Sequence, residues 1–256
     1  MNTDNRSKLN RLLTSQPDGV VIASAWLTTQ GYSLDLQKQY RKSRWFDSIG
    51  RGALVRHNDC VSYLGAIYAL QTQLNLSVHP GGRTALTLQG KAHYLELALD
   101  EVRLFGRVGE TLPSWFQKYD WGVRPQYTRS DFLPPSIGLI EHTYEGFSVK
   151  ISSAVRAILE CLYLAPAEQS LLEVYELMEG LNNLRPSRVQ ELLESCTSVK
   201  VKRLFLYLAD KAGHEWFNHL NVEKIDLGKG KRALVNEGVY VPKYQITVPP
   251  ELERAQ

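Results

Sequence analysis

Apolar residues in the N-terminal region recur at helical spacing in segments that turn-forming residues separate. The first segment, Lys8–Leu13, has leucines three and four positions apart and is followed by the turn-forming run Gln16–Gly19. A second helix is predicted from Ser24, whose hydroxyl can accept the free N–H groups of a first turn, to the turn residue Gly31. The pattern therefore predicts two short helices in this region.

A third helix is predicted to begin at Ser33, as its N-cap, and to continue to about Trp45. At 100° per residue, Leu36, Tyr40 and Ser43 share one side of this helix, and the basic residues share another. Arginine and lysine can bond guanine in the major groove and glutamine can bond adenine, so this is the candidate recognition helix. Its candidate DNA-contacting residues are Gln37, Lys38, Arg41, Lys42 and Arg44.

Two short alternating runs, Phe46–Ile49 and Ala53–Arg56, follow this helix and are joined by Gly50-Arg51-Gly52. They predict a hairpin, from which Arg51 at the tip could reach a phosphate or the minor groove. Arg56 at the end of the hairpin is the second candidate DNA contact of the wing. The order of short helix, glycine turn, basic helix and hairpin predicts a winged helix-turn-helix that binds DNA. The alternative is a basic helix that only exposes a solvated charged face.

The remainder of the chain alternates between helical and strand patterns. We predict an α+β fold, with an N-terminal winged helix-turn-helix domain over residues 1–58 and a larger mixed α/β C-terminal domain over residues 62–256. The first two helices of the larger domain are expected to dock the DNA-binding part onto it. The predicted helices are Ser62–Leu76, Gly81–Gly90, Ala154–Ala165, Ser170–Leu181, Pro186–Ser195 and Ser198–Ala212. Strands of a mixed sheet are predicted at Glu101–Phe105, Val123–Thr128 and Phe147–Ile151, with two or three more strands within Lys229–Val248.

Positive charge is concentrated at the N-terminal end. The formal net charge is +3, but residues 1–56 carry nine lysines and arginines against four acidic residues, so the rest of the chain is net negative. The three cysteines, Cys60, Cys161 and Cys196, lie far apart without a CxxC pair, which favours reduced thiols in a cytosolic protein. The N-terminus lacks an apolar segment and no apolar run approaches ~18 residues, so neither secretion nor membrane insertion is expected.

Motifs for catalysis, cofactors or metals are not convincing. His214 and His219 are five residues apart, which separates them by about 140° on a helix and prevents them from sharing a metal on one face. Gly228-Lys229-Gly230-Lys231 lacks the spacing of a phosphate-binding loop and is interpreted as a hairpin turn. We therefore predict no enzyme activity, no cofactor and no metal site.

Basic residues outside the N-terminal region have structural interpretations. Arg156 and Glu160 are expected to form a helical i,i+4 ion pair, worth about 0.3–0.5 kcal/mol if exposed. Arg83 and Arg156 are expected to organise the domain through internal hydrogen bonds. A third group at the start of a helix could extend the DNA contact, serve another role of the domain or form a solvated helix end, and we favour the last. This group is Lys200, Lys202 and Arg203.

Several long segments occur in this chain in the same order as in a known protein family, which supports this interpretation. In these segments the chain resembles the AbiEi antitoxin family of type IV toxin–antitoxin systems, transcriptional regulators linked to abortive phage infection in bacteria. The resemblance is carried by SKLNRLL (Ser7–Leu13), the winged motif with GRGA (Gly50–Ala53), GGRTALTLQGKAHYL (Gly81–Leu95), ISSAVRAILECLYL (Ile151–Leu164), YELMEGLNNLRP (Tyr175–Pro186), SVKVKRLFLYLADKAGHEWF (Ser198–Phe217) and the segments from Leu227 to Pro249.

The resemblance implies a repressor that binds inverted repeats in the promoter of its own operon. It also implies that the C-terminal domain neutralises a nucleotidyltransferase-like toxin without forming a stable complex, in the bacterial cytoplasm close to the nucleoid. Two copies are expected on the operator, from a monomer or weak dimer in solution. Two alternatives stay open: a DNA-targeted enzyme, such as a nuclease or a nucleotide-modifying protein, and a C-terminal domain that binds the toxin directly.

Overall fold

The computed structural model describes residues 3–91, 100–235 and 237–254. The last four residues of the segment Gly81–Leu95 lie outside the described residues. The helices are α1 (Thr3–Ser15), α2 (Ser24–Thr29), α3 (Leu34–Lys42), α4 (Tyr63–Thr72), α5 (Gly82–Leu88), α6 (Ser114–Lys118), α7 (Ala154–Leu164), α8 (Leu171–Glu179), α9 (Pro186–Ser195), α10 (Val199–Lys211) and α11 (Pro250–Arg254). The strands are β1 (Ile22–Ala23), β2 (Phe46–Gly50), β3 (Ala53–Arg56), β4 (His79–Pro80), β5 (Glu101–Gly106), β6 (Arg124–Arg129), β7 (Leu139–Tyr144), β8 (Phe147–Ser152), β9 (Arg232–Ala233), β10 (Val239–Val241) and β11 (Ile246–Val248).

The N-terminal elements surround a small hydrophobic core. Helices α1, α2 and α3 cover one face of an antiparallel three-stranded sheet with strand order β1-β3-β2. The three helices and the hairpin β2–β3 occur in the predicted order, and β1, which the sequence did not predict, completes the sheet. The residues of this core are Leu9, Leu12, Ile22, Leu27, Tyr32, Leu36, Tyr40, Phe46 and Leu54.

The second face of the N-terminal sheet is also buried. Successive side chains of a strand point to opposite faces, so Leu54 enters the small core while its neighbours Ala53 and Val55 enter the main core of the protein. Val21 and Ile22 divide in the same way between the two cores. The N-terminal sheet is therefore packed between its own helices and the larger part of the chain.

Helix α4 makes the main polar connection between the two parts. Just after it, the Gln73 side chain is buried and accepts a 2.7 Å hydrogen bond from the Ala23 amide through Oε1. Its Nε2 donates to the Val21 carbonyl at 3.1 Å, and the Gly65 carbonyl accepts from the Val21 amide at 3.2 Å. The segment Ser62–Leu76 thus docks the two parts, as expected. Helix α5, to which the same role was assigned, instead packs mainly against α7, β5 and β8.

Over its described residues, the larger part of the chain combines helices with three small sheets. Strand β5 pairs with β6 in parallel and with β4 in antiparallel orientation, which confirms a mixed sheet. Strands β7 and β8 form a separate antiparallel hairpin, and β11 lies between β10 and β9 near the C-terminus. The buried helix α7 contacts α5, α8, α9 and α10, and so stands at the centre of this part.

Candidate nucleic-acid interface

Helix α3 is fixed by its N-cap and by its apolar side. The Ser33 hydroxyl accepts a 3.3 Å hydrogen bond from the Leu36 amide, which confirms the predicted cap. Leu36 and Tyr40 are buried in the small core. The helix ends at Lys42, before the predicted end at Trp45, and Arg44 follows with a left-handed φ of 54°. Arg44 is therefore on the turn after the helix.

The outer side of α3 and the hairpin tip carry cations that face solvent. The exposed cations are Lys38, Arg41 and Lys42 on the helix, Arg44 after it and Arg51 at the hairpin tip. Within the described residues none of these five forms an ion pair. Helix α3 packs directly against β2, so the helix and the hairpin are neighbours. The structure thus leaves five of the seven predicted contact residues accessible on adjacent elements.

Gln37, in contrast, is not accessible to DNA. Only 3% of the residue is exposed, since α2 packs over this side of α3. Its Oε1 accepts a 2.6 Å hydrogen bond from the Ser24 hydroxyl, and its Nε2 donates to the Tyr32 carbonyl at 2.8 Å. Ser24 is the first residue of α2 and does not cap it. The placement of Gln37 on the DNA-reading face was wrong, because its amide joins α2 to α3.

Arg56 is also committed within the protein. Its guanidinium donates to the Leu13 and Gln16 carbonyls at the end of α1 and pairs with the Asp18 carboxylate. About a fifth of the side chain is exposed (20%). Arg56 therefore anchors the end of α1 to β3 and is removed from the candidate DNA contacts. The acidic residue in the turn Gln16–Gly19 was the signal for this pairing.

Two further exposed residues of α3 were not predicted as contacts. Gln39 is exposed, so it is the glutamine of α3 that can reach an adenine. Leu34, the first residue of the helix, is 66% exposed. Leu34 could have been found by placing the core at Leu36 and Tyr40 and then selecting the opposite side of the helix, whereas Gln39 lies on the flank, about 60° from Leu36.

The hairpin is held against the larger part of the chain by α6. A β carbon on Gly50 would lie 3.0 Å from the Trp115 Cβ, so glycine permits this close approach. Ile49 packs against the same core, in which Trp115 is buried. The tip residues Arg51 and Gly52 remain exposed. The orientation of the hairpin is thus set by contacts outside the N-terminal core.

A second polar cluster lies at the centre of the larger part, around the fully buried Glu160. Its Oε1 accepts from Arg156 Nε at 2.9 Å and lies 3.2 Å from His79 Nε2. Its Oε2 accepts from the Gly82 amide at 2.8 Å and the Ser152 hydroxyl at 2.7 Å. Burial raises the pKa of Glu160, but the hydrogen bond and charge of His79, with the charge of Arg156, outweigh burial and lower it below its ordinary value.

Arg156 and Glu160 form the predicted i,i+4 ion pair, but both residues are buried, so the energy of an exposed pair does not apply to them. Arg156 also donates to the Pro134 and Ile137 carbonyls, each at 2.7 Å. Arg83 pairs with Glu173 at 2.9 Å and joins α5 to α8. The predicted internal roles of both arginines are confirmed, and the cluster joins β4, α5, β8 and α7.

The basic group at the start of α10 was wrongly interpreted as a solvated helix end. Lys202 and Arg203 are 3% and 2% exposed. Lys200 Nζ donates to the Tyr163 and Ala165 carbonyls at the end of α7, at 2.8 and 2.7 Å, and burial lowers the pKa of Lys200. These residues are enclosed because neighbouring elements cover the first turns of α10.

Arg203 organises the loop that contains Gly228–Lys231. Its guanidinium donates to the carbonyls of Leu227, Gly228 and Gly230, and to that of Gln245 before β11. The loop precedes β9, which pairs in parallel with β11, so it does not connect two strands of a hairpin. The interpretation as a hairpin turn was wrong, and the loop instead wraps around a buried arginine.

No metal centre is evident in the described parts of the chain, where no group of three or more His, Cys, Asp and Glu side chains could hold an ion. His214 is buried, lies 2.7 Å from the Met178 carbonyl through Nε2 and stacks on Trp216. Among the described helices, none has both the length and the apolar character needed to cross a bilayer.

Comparisons with known proteins agree with the resemblance in sequence. Residues 5–97 match a family model described as the AbiEi antitoxin N-terminal domain of a transcriptional regulator. Residues 99–249 match a model described as a transcriptional regulator, AbiEi antitoxin, of type IV toxin–antitoxin systems. The fold is similar to the crystal structure of the RV2827C protein from Mycobacterium tuberculosis, at 15% identity and a TM-score of 0.58, over 96% of this chain and 91% of that one. The comparison with curated proteins gives no match.

Proposed function

The chain belongs to the AbiEi antitoxin family of transcriptional regulators from type IV toxin–antitoxin systems, and from this premise we propose that its N-terminal elements form a winged helix-turn-helix that binds duplex DNA. In this proposal α3 enters the major groove and the hairpin β2–β3 is the wing. The division into a DNA-binding domain at residues 1–58 and an antitoxin domain at 62–256 is part of the same proposal.

The observation that carries this proposal is the group of cations on α3 and the hairpin tip that are exposed and have no ion-pair partner in the part of the chain that the structure describes. A basic side chain in a structural role normally has a carboxylate or carbonyl partner, as Arg56 and Arg203 have. Lys42 and Arg51 have no such ion pair among the described residues. Phosphates would supply the missing countercharge, and the forked guanidinium of Arg41 can bond a guanine edge.

We further propose that the protein represses its own operon through inverted repeats. Two copies are needed to place a recognition helix on each half-site, and they meet on the DNA. The C-terminal domain then counteracts a nucleotidyltransferase-like toxin without a stable complex and without catalysis. Recovery of a stoichiometric complex from purified toxin and antitoxin at physiological salt would contradict that part of the proposal.

The first test is a fluorescence-anisotropy titration of the full chain against two duplexes: the promoter directly upstream of its own gene and a shuffled duplex of equal composition. We expect specific binding to the promoter to be tighter by about 10³-fold or more. Arg41→Ala should cost about 1–3 kcal/mol for the promoter and reduce this margin. Lys42→Ala should weaken both duplexes and lower the salt slope by about one.

The matched control is Lys224→Ala, which removes an exposed lysine from the larger part of the chain. This variant should bind both duplexes as the wild type does. Equal affinity of the wild type for promoter and shuffled DNA would reject the proposed function, because the basic helix would then act only as an electrostatic patch.

A further inference from the structure

Leu34 is a large apolar residue that is exposed on α3 and is not part of the hydrophobic core. It is 66% exposed, the highest value among the large exposed hydrophobic residues that the structure describes. The apolar residues that hold α3 on the core are Leu36 and Tyr40. At 100° per residue, Leu34 lies more than 100° from both, on the opposite side of the helix.

Leu34 also lies in line with the cations of the outer side. Positions four apart are neighbours on a helix surface, so Leu34, Lys38 and Lys42 form one exposed stripe along α3. Leu34 is at the N-terminal end of this stripe, directly after the Ser33 cap. If the lysines face the DNA backbone or bases, the leucine side chain faces the same groove.

The major groove offers an apolar partner for such a side chain. Thymine is the base that presents a methyl group there, and residues at the N-terminus of a recognition helix contact base edges. We propose that Leu34 contacts a thymine 5-methyl group in each half-site and thereby selects T·A at that position. This inference rests on the proposed DNA-binding function.

The test replaces thymine by deoxyuridine, which removes the methyl group and keeps the base pairing. The promoter duplex is prepared with thymine or with deoxyuridine throughout, and each form is titrated with wild-type protein and with Leu34→Ala. We expect the wild type to bind the deoxyuridine duplex about fourfold more weakly per contacted methyl group, from the usual worth of one buried methyl-sized group. Leu34→Ala should bind the two forms with nearly equal affinity.

Two further variants separate this contact from general weakening. Leu34→Met keeps an apolar side chain of similar size and should retain the preference for thymine. Lys38→Ala should weaken binding to both forms and leave their ratio unchanged. Leu34→Ala should keep the thermal unfolding temperature of the wild type, because the side chain is mostly exposed.

The result that would overturn the inference is an equal deoxyuridine penalty in wild type and Leu34→Ala, or no penalty in the wild type while promoter specificity is intact. The proposed function fails differently, since the wild type would then not distinguish the promoter from the shuffled thymine duplex. The two failures are therefore told apart by the shuffled control.

Discussion

The basic side chains of this protein differ in their partners, and at the scale of single residues the partners indicate the role. Arg203 is 2% exposed and its guanidinium donates to four backbone carbonyls. Arg156 is similarly enclosed by Glu160 and two carbonyls. Arg41 and Lys42 are exposed and unpaired among the described residues. Residues of one chemical type therefore divide into internal supports and candidate contacts to DNA.

Arg203→Leu should strongly destabilise the protein. The substitution leaves buried carbonyls without donors, and hydrogen bonds to charged groups are worth about 1.5–3 kcal/mol, so we expect a loss of about 3 kcal/mol in the free energy of unfolding. Arg203→Lys should recover only part of this, since an ammonium group lacks the fork. Urea unfolding measures both. The control is Arg188→Leu, from an exposed pair with Glu191, where less than about 1 kcal/mol is expected. Equal losses for Arg203→Leu and Arg188→Leu would contradict this role.

Glu160 should make stability depend on acidity. Its folded pKa lies below the ordinary value of 4.5, so its contribution is complete above about pH 4.5 and declines as the pH falls toward the folded pKa. Urea unfolding of wild type and Glu160→Gln at several pH values should show a difference that is constant near neutrality and shrinks below pH ~4.5. A difference that stays constant down to pH ~3 would show that Glu160 does not carry this effect.

At the scale of elements, the sequence predicts long amphipathic helices well and short pieces poorly. Helix α9 begins and ends as predicted, because Pro186 fits the first turn and the apolar spacing is regular. Strands β1 and β4 have two residues each, too few for an alternating pattern to be recognised. Helical spacing alone also could not show that α2 covers Gln37, since that contact depends on tertiary packing.

The hydrogen bonds of Gln37 that connect α2 to α3 give a prediction for this pair of helices. Gln37→Ala removes the buried amide that bonds Ser24 and Tyr32, so we expect about 2 kcal/mol less stability. At a temperature where the variant is folded, its preference for promoter over shuffled DNA should persist. Gln39→Ala should do the reverse: unchanged stability within about 0.5 kcal/mol and a smaller preference. Urea denaturation measures the stability of both variants, and anisotropy measures their preference for promoter DNA. A loss of this preference in Gln37→Ala but not in Gln39→Ala would contradict the assignment of Gln37 to structure and Gln39 to DNA contact.

At the scale of the whole molecule, the N-terminal elements are not exposed to solvent on every side, because one side of them packs against the larger part of the chain. One face of their sheet enters the main core through Ala53 and Val55, and the hairpin rests on Trp115 through Gly50. The Gln73 side chain hydrogen-bonds the backbone of Val21 and Ala23 and so joins the two parts; we call this contact between α4 and the N-terminal part the joint. Any displacement of the larger part would therefore alter the support of the hairpin as well as that of β1 and β3.

Gly65 is the position at which this joint can be tested most directly. A β carbon at Gly65 would lie 2.0 Å from the Gly19 carbonyl oxygen, so Gly65→Ala must push α4 away from the N-terminal part. We expect a loss of about 2–3 kcal/mol, as for overpacking in a core, together with weaker promoter binding at temperatures where the wild type is fully folded. The readouts are urea unfolding and anisotropy.

The matched control for Gly65→Ala is Gly180→Ala, where φ is −70° and an added β carbon would meet the Leu177 carbonyl at an ordinary 3.5 Å. This variant should retain the stability of the wild type within about 0.5 kcal/mol and its DNA affinity. If Gly65→Ala loses stability but binds the promoter as the wild type does, the larger part stabilises the N-terminal elements without setting the DNA-binding geometry. If both properties decline together, the hairpin and α3 depend on the contact between α4 and the N-terminal part for their position, since Gly65 lies on α4, outside the elements that carry the candidate DNA contacts.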